Sequence, residues 1–451
     1  VENIDFNGKN IVVLGADRET TIIDGGEAGR GVTFQSGELP SAILRGFTLQ
    51  NGIEANGGGI YCTGGSSPSL YDLIITNNTA NGGAGVHCFS GSNPRLENIS
   101  IINNSATGSN GRGGGLRCTT NSDPTLVNVL ISDNTATQEG GGVFCYNSDP
   151  SFINVTISGN VSSINDGGGI FIKNNSNMNL MNTVLWGNES NEIEFSSVDN
   201  SSTITLSYSN IEGGQDSIII NDNGTVTWGD GNIDVDPMFV DSDNGNYHLL
   251  ASSMLINAGH PDLTDSDGTR ADMGVYPYLN NYSGPDWFIS ESGNDTTATG
   301  ASDNPFRSIQ AALNFGSDDN TAYVSAGTYN ENLVYRYDQS ESIRSVSLIG
   351  ENKETTIIDG NQAGIVVDLP NGGSSGLLIE GFTIRNGYAN GEMGNYGSYN
   401  QGAGIHVGHN YDPVYLSDLI IENCTAVSGG AGGFGGGIFS ENSSLELSNV
   451  Q

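Results

Sequence analysis

The chain has 451 residues, of which 51 are acidic and 14 are basic, and its formal net charge at pH 7 is −37. Such a charge repels phosphate backbones and anionic membrane surfaces, so nucleic acid is not an expected partner. No apolar run reaches the ~20 residues that a transmembrane helix needs, and the 66 glycines follow no G-X-Y period, which excludes collagen and favours internal repetition.

Five glycine-led phrases recur in the first half of the chain. Each is followed by a polar turn, an alternating strand and an Asn, and the first four end in Cys. Short strands that repeat every 26 to 30 residues and are broken by Gly, Asn, Pro and Ser predict a solenoid. The phrases are GGGIYC at 57–62, GAGVHC at 83–88, GGGLRC at 113–118, GGGVFC at 140–145 and GGGIFI at 167–172.

Within each phrase, the aliphatic residue and the Cys are two positions apart and therefore share one face of a strand. Stacking the units in register predicts a buried column made of Ile60, Val86, Leu116 and Val143, with Cys62, Cys88, Cys118 and Cys145 beside it. Buried free thiols are favoured, because parallel in-register Cβ vectors suit disulfide geometry poorly. Disulfides between adjacent rungs stay open as an alternative.

The residue between the aliphatic and the Cys takes the opposite face and is expected to be exposed. Stacking places these residues in one outward column, which is the candidate ligand-binding site. The column could bind a glycan by stacking or dock a neighbouring chain, or its rings could simply support the sheet. Its members are Tyr61, His87, Arg117, Phe144 and Phe171.

Polar residues recur in phase at two further positions. Asn78, Asn104, Asn134, Asn160 and Asn188 end the second strand of each unit, where stacked amides are expected to form a ladder in a left-handed turn. Asp72 and Glu97 are expected to share another ladder position, which Asn128, Asn154 and Asn182 occupy in later units.

The segment from Asp230 to Asp272 carries nine Asp and one basic residue besides His, Arg270. Alternate carboxylates around a turn at Gly268 are the oxygen-rich arrangement that Ca²⁺ needs, although Asp-Gly runs are also ordinary turns. The sequence therefore predicts a calcium site. Its candidate ligands are Asp265, Asp267 and Asp272, with Asp241 and Asp243 as a second instance.

A larger repeat has an offset of 335 residues. VLGADRETTIIDGGEAG at 13–29 returns as LIGENKETTIIDGNQAG at 348–364, and RGFTLQNG at 45–52 returns as EGFTIRNG at 380–387. The predicted organisation is a first β-helix module over 1–229 that lacks its N-terminal part, an Asp-rich closing cap and linker over 230–285, and the N-terminal part of a second module over 286–451. Asn304 and Pro305 are expected to introduce a short capping helix at the start of the second module.

These motifs resemble those of right-handed parallel β-helix proteins of the pectate-lyase-like superfamily. The paired glycine-led and Asn-ended signals are similar to the repeats of polymorphic outer-membrane proteins, and DPMFVDSDNGNYHLLASSMLINAG resembles the closing segment of large secreted bacterial β-helix proteins. The resemblance implies an all-β fold, a right-handed parallel β-helix in tandem modules, and an extracellular or cell-surface location. It leaves the activity open, because this fold carries many functions.

Catalysis is not favoured by the residue pattern. A lyase of this fold needs a base, for which Arg95, Arg112 and Arg117 are candidates, and a hydrolase needs carboxylates on neighbouring rungs, as Asp72 and Glu97 could supply. No catalytic residue is assigned. The leading hypothesis is a non-enzymatic extracellular structural repeat protein that forms a fibre, stalk or surface-display rod and associates with other copies or modules of itself. The alternatives are a secreted polysaccharide lyase or hydrolase, and an adhesin that binds glycans or a host or neighbouring cell surface.

Overall fold

A computed structural model describes residues 1–164, 166–336, 344–370, 376–390, 402–408, 413–427 and 435–451. The chain folds into two compact units. The first comprises Val1–Pro237, Ala258–Leu263 and Arg270–Pro277, and the second comprises Met238–Asn257, Thr264–Thr269 and Tyr278–Gln451. The junction segment is thus divided between both units, and the module boundaries drawn from the sequence stay a proposal.

Three parallel sheets form the walls of the first unit, since each strand pairs with the strand one coil further along the chain. The first sheet has eight short strands. They are Ile4–Asp5, Val32–Phe34, Ile60–Cys62, Val86–Phe89, Leu116–Thr119, Val143–Tyr146, Ile170–Lys173 and Ile193–Phe195.

The second and third sheets complete each coil. The second consists of Val12–Leu14, Ile22–Asp24, Ile43–Gln50, Ser69–Thr76, Arg95–Ile102, Thr125–Ser132, Ser151–Ser158, Asn177–Met181, Val184–Trp186, Ser202–Ser207, Asn210–Ile211 and Gly224–Trp228. The third consists of Ile53–Glu54, Thr79–Ala80, Ser105–Ala106, Thr135–Ala136 and Val161–Ser162. A 3₁₀ turn spans Gln215–Ser217.

The predicted register and core are confirmed. Val86 pairs with Ile60 and Leu116, and Cys88 pairs with Cys62 and Cys118. The whole aliphatic and cysteine column is fully buried, as are the facing leucines and isoleucines of the second sheet. Burying apolar area contributes roughly 25 cal/mol per Å², so each coil is stabilised mainly by the coils stacked on it. The four cysteines of the column are free thiols.

The predicted asparagine ladder is also present. The side-chain amide and the backbone N–H of Asn104 both donate to Oδ1 of Asn134, at 3.0 Å each. One detail of the prediction is wrong. The left-handed residue of each turn precedes the ladder residue, as Asn77, Asn103 and Asp133 show with φ values of 55, 56 and 57°. The ladder Asn itself therefore does not adopt the left-handed conformation, and its side chain points inward.

A second row of polar residues lies at the bend of the long strands of the second sheet. Asp72, Asn98, Asn128 and Asn154 all have φ between 53 and 56°, a conformation that short polar side chains tolerate. The expected alignment of Asp72 with Glu97 is wrong by one residue. Glu97 pairs with Tyr71, so Asn98 is the neighbour of Asp72.

In the second unit the same coil architecture recurs. Its nine-stranded sheet consists of Asp286–Ile289, Thr321–Val324, Gly327–Asn330, Ser347–Gly350, Thr356–Asp359, Leu378–Glu380, Thr383–Arg385, Val414–Glu422 and Leu445–Val450. A four-stranded sheet consists of Leu333–Val334, Val367–Leu369, Ile405–Val407 and Ile438–Ser440. Tyr388–Ala389 pairs with Thr425–Ala426, and an antiparallel pair, Phe239–Asp241 and Asn246–Leu249, flanks a 3₁₀ turn at Ser242–Asn244.

The predicted short helix exists but begins later than expected, at Ile309, and ends at Phe315. Phe306 is still extended, because it forms a β-bridge with Ile289. The helix packs against Asp286–Ile289, Thr321–Val324 and Leu333–Val334. Among the described residues this is the one α-helix, and no helix there is long and apolar enough to cross a membrane.

Candidate functional site

The structure brings the five predicted ligand-binding residues together. They occupy one paired position on five consecutive strands of the first sheet, in the order Tyr61, His87, Arg117, Phe144 and Phe171. We call this set the outer column, because its side chains lie on the face of the sheet opposite the core. Alternation along each strand explains the placement, since the neighbouring aliphatic and cysteine side chains point inward.

The expectation that the outer column is exposed is wrong. His87, Phe144 and Phe171 are only 3, 2 and 3% exposed. The chain that leads into each strand folds closely against the column, and a Cβ placed on Gly83 would lie 2.6 Å from Cβ of His87. Gly83 also has a φ of 61°, so this close approach depends on glycine.

Cations cover the rings of the outer column, and the sequence pattern did not identify most of them. The central guanidinium carbon of Arg30 lies 4.6 Å from the centroid of Tyr61. Those of Arg112 and Arg117 lie 5.7 and 5.5 Å from the centroid of Phe144, and Nζ of Lys173 lies 5.9 Å from that of Phe171. The signal that the sequence offered for these cations was the scarcity of basic residues, since the chain has only 14 of them.

A cavity of about 300 Å³ opens over the outer column, and we call it the outer-column cavity. Residues 107–115, between the strands Ser105–Ala106 and Leu116–Thr119, contribute Asn110 and Arg112 to its wall. This connection is longer than the corresponding one at 81–85. The lining residues are Asn56, Tyr61, His87, Phe89, Asn110, Arg112, Arg117, Thr119, Thr120, Phe144, Tyr146 and Lys173.

Arg117 is the unusual member of this lining. Its Nε and Nη1 are buried without a hydrogen-bond partner, and no carboxylate of the described residues forms an ion pair with it. Nη1 lies where a Cβ of residue 82 would be, 1.8 Å away, so Gly82 provides the space for the guanidinium. Burial, and then the nearby charge of Arg112, lowers the pKa of Arg117 to about 10.

The other two cations of the cavity are already paired. Glu139 accepts from Nε of Arg112 and from Nζ of Lys173, the latter at 3.4 Å. Lys173 also pairs with Asp199 at 3.2 Å. Glu139 also acts on Arg117 electrostatically, but among the described residues Arg117 is the cation of the cavity that forms no ion pair with a carboxylate.

His87 supplies a second unsatisfied group. Its Nε2 lies 3.1 Å from Oγ1 of Thr119, whereas its Nδ1 is buried without a partner among the described residues. Burial, followed by the charges of Arg117 and Arg30, lowers the pKa of His87 well below its usual value. The ring is therefore neutral at pH 7, and one nitrogen stays available as a hydrogen-bonding group.

The residues considered for catalysis lie mainly elsewhere. A larger groove of about 660 Å³ is lined by Arg18, Arg45, Tyr71, Asp72, Glu97, Asn98, Ile99, Ser100, Asn128, Val275, Tyr276 and Pro277. Asp72 faces Arg18 at 3.6 Å, and Glu97 pairs with Arg95 at 2.9 Å. The two carboxylates are thus each engaged with a different arginine.

The predicted calcium ligands are not gathered into one cluster. Across the described ranges no group of three or more His, Cys, Asp or Glu side chains is arranged to hold a metal ion. Asp267 accepts from Thr269 with one carboxylate oxygen and from the backbone N–H of Asn280 with the other. Asp272 is buried, and Asp241 accepts from the side chain of Asn244. Asp243 is exposed and Asp265 half-buried. Calcium binding stays a prediction.

Comparison with known proteins agrees with the architecture. Residues 18–163 match the family model for a right-handed β-helix region. The chain is also similar to the crystal structure of pectate lyase Pel9A, with 15% sequence identity over 60% of this chain and 84% of that one and a TM-score of 0.31. No curated protein matches the chain. The matched region contains the first four residues of the outer column, and the predicted resemblance is confirmed at the level of fold: the chain is a right-handed parallel β-helix protein.

Proposed function

We propose that this chain is a non-enzymatic structural part of an extracellular repeat protein that forms a rod, stalk or display fibre. The observation that supports this proposal is the recurrence of one coil at an offset of 335 residues. The strands at 12–14, 22–24 and 32–34 of the first unit correspond to Ser347–Gly350, Thr356–Asp359 and Val367–Leu369 of the second.

The equivalence extends to pairing. Val32–Phe34 pairs in parallel with Ile60–Cys62, and Val367–Leu369 pairs in parallel with Ile405–Val407. Because every coil buries its apolar residues against its neighbours, stability grows by repetition of the same contacts. Repetition of a whole module lengthens such a structure without requiring a new core, which suits a spacer or a display rod.

The surface chemistry fits an extracellular location. A net charge of −37 keeps copies of the chain soluble and apart unless cations screen them. The partners proposed here are other modules or copies of the same protein. A glycan or a neighbouring cell surface is the target that the protein binds or to which it presents what it carries.

The rod proposal is tested by imaging and scattering. We expect negative-stain images and small-angle scattering of the chain to show an elongated particle, and a longer natural array to extend by about 55 to 60 Å per 335-residue module, from ~4.8 Å per coil. A compact particle whose longest dimension does not grow with the number of modules would reject the proposal.

A secreted polysaccharide lyase is the second candidate, and Arg117 is the observation that favours it. This half-buried arginine, with a pKa that burial lowers to about 10, is closer to the range in which a base acts than an ordinary arginine is. Incubation with uronate-containing polymers would reveal an unsaturated product. Turnover that disappears in Arg117→Gln would establish the enzyme and overturn the non-enzymatic proposal.

A further inference from the structure

We propose that the larger groove of the first unit binds an acidic hairpin tip, residues 241–245, of a second copy of this chain. This inference rests on the proposed function, because it assigns a surface to the association between copies. Three features carry it, namely the face on which the groove lies, the cation that the groove presents and the exposure of the tip.

The larger groove is formed within the first unit, by successive coils and by the closing segment Arg270–Pro277, which we call the strap. Its volume is about 660 Å³. From Arg45 to Asn128 it crosses three coil spacings, which is about 14 Å at ~4.8 Å per coil. The two strands of a hairpin are ~4.8 Å apart, so a hairpin tip is narrow enough to enter a groove of this length.

The strap shows that this face of the coils already holds a segment of chain. The backbone N–H of Gly274 donates to the carbonyl of Asn182 at 2.8 Å, and that of Val275 donates to Oγ1 of Thr156 at 3.1 Å. A Cβ on Gly274 would lie 2.9 Å from Oγ1 of Thr156, so the close approach of the strap depends on glycine. Residues 275–277 then form one wall of the groove. The groove is therefore the uncovered continuation of a face that binds chain segments.

The groove presents a cation to an acidic partner. The guanidinium of Arg45 is exposed, and no carboxylate of the described residues forms an ion pair with it. The two carboxylates of the lining are already engaged, since Asp72 faces Arg18 at 3.6 Å and Glu97 pairs with Arg95 at 2.9 Å. Arg45 is thus the cation of this groove that is available to a new carboxylate.

Amides and phenol rings complete the lining. The side chain of Asn128 donates to Oδ1 of Asn98 at 3.1 Å, whereas the amide nitrogen of Asn98 donates to no residue in the described ranges. Asn98 is exposed and can donate to a carboxylate or to a backbone carbonyl. Tyr71 and Tyr276 add half-buried rings. This combination of donors and rings suits a short acidic turn.

The proposed partner segment is the tip of the hairpin that Phe239–Asp241 and Asn246–Leu249 form. Every residue from 241 to 245 is exposed. Asp241 accepts from the side chain of Asn244, and Asp243 is the second carboxylate of the tip. We expect Asp243 to pair with Arg45, because a charge-assisted hydrogen bond in a groove is stronger than one on an open surface.

The groove and the tip are different surfaces, so the contact between copies is heterologous. A chain that is bound through its tip keeps its own groove for a further copy, and such contacts can build open chains. The net charge of −37 opposes association. At physiological ionic strength the screening length is about 8 Å, so this repulsion acts at short range and a local pairing of opposite charges can outweigh it.

Sedimentation equilibrium of the full chain at about 0.15 M salt tests the proposal. We expect the average mass of wild type to rise with concentration. Arg45→Glu and Asp243→Arg should each weaken association at least about tenfold, because each places like charges opposite one another. An equimolar mixture of the two variants should regain association, because the reversed tip of one chain then meets the reversed groove of the other.

Matched controls show whether the effect is local. Arg307→Glu and Asp303→Arg make the same changes at exposed residues outside the groove and the tip, and both should associate like wild type. Circular dichroism checks the fold of each variant. Arg45 and Asp243 are both exposed, so neither substitution alters the core.

A mass that does not rise with concentration, or a mixture that fails to regain the association lost by both variants, would overturn the proposal. Association that Arg45→Glu leaves unchanged would overturn the groove contact and leave the proposed function standing, because copies would then meet at another surface. Association that the mixture restores, in particles that do not elongate, would support the contact and reject the rod. The failures of the two proposals are therefore distinguishable.

Discussion

The guanidinium of Arg117 lies over the ring of Phe144, one coil further along the first sheet, with 5.5 Å between its central carbon and the ring centroid. On its other side it approaches the backbone at Gly82. A cation held between a ring and a backbone segment, and ion-paired with no carboxylate in the part of the chain that the structure describes, is the central feature of the candidate site.

Gly82→Ala should move Arg117. The added Cβ would lie 1.8 Å from Nη1 and 2.9 Å from Cζ, so the flexible guanidinium must shift. We expect the guanidinium to leave its position over the ring of Phe144 with little change in melting temperature, because the core of the coil is not altered. A crystal structure and thermal unfolding of the variant would check this. An unmoved guanidinium, or a fall in melting temperature as large as that of a core substitution, would contradict it.

Asn134→Ala should destabilise the first unit strongly. The side chain of Asn134 is fully buried, donates to the carbonyl of Ile101 and to Oδ1 of Asn160, and accepts two bonds from Asn104. Its removal leaves buried groups without partners, at about 1–3 kcal/mol each. Denaturant unfolding measures the loss, and Asn81→Ala at an exposed position serves as the control. Equal stability of the two variants would show that the ladder contributes little.

We expect Glu192 to make the stability of the first unit depend on pH. Burial raises its pKa to about 8 from an ordinary 4.5, although Asn188 donates to the carboxylate with its backbone N–H and its side chain. Because the folded-state pKa is raised, the stabilising contribution is fully present below about pH 4.5 and is lost as the pH rises through about 8.

Glu192→Gln, which resembles the neutral acid, should therefore melt near wild type at pH 5 and above it at pH 9. Thermal unfolding across this pH range measures the difference. The exposed Glu189→Gln is the control and should follow wild type throughout. Parallel curves for Glu192→Gln and wild type would show that this carboxyl group does not titrate as expected.

The cysteine column should resist alkylation while the chain is folded. Cys62, Cys88, Cys118 and Cys145 are fully buried, and burial raises the pKa of Cys145 to about 12. A thiol reacts as the thiolate, and hydrogen bonds with Cys118 and Cys62 lower the pKa of Cys88, so the resistance of the column rests on the reagent having no access to it. Mass spectrometry after iodoacetamide treatment should find modification first at the half-buried Cys424, and at the column only after unfolding. Early modification of the column, or native disulfides within it, would count against the packing described.

If calcium binds the Asp-rich junction, removal of the ion should make this segment sensitive to proteases. Chelation should increase cleavage between residues 230 and 285 and leave the coils from 57 to 190 intact, because the coil core is apolar and needs no ion. Limited proteolysis with and without chelator, followed by mapping of the cuts, is the measurement. Unchanged protection would mean that protein contacts such as those of Asp267 with Thr269 and Asn280 hold the loop without a metal.

The amino-acid sequence by itself determined the coil. The period of 26 to 30 residues determines which residues stack. Alternation along a strand determines that Val86 and Cys88 face the core, whereas His87 faces away from it. The asparagine ladder followed from the same periodicity. These features are local and repeated, so each copy of the pattern supports the interpretation of the others.

Only the tertiary structure decided how the outer column is covered and which charges meet there. The left-handed bend at Asp72 shifts the alignment by one residue, which pattern matching cannot detect because a bend leaves the period unchanged. Arg30 and Arg112 reach the rings from connecting segments, whose conformation does not follow from strand periodicity, whereas Lys173 lies on the strand of Phe171, two residues after it. The unpaired charge of Arg117 depends on Glu139 bonding to Arg112 and Lys173, a choice among partners that only three-dimensional proximity makes.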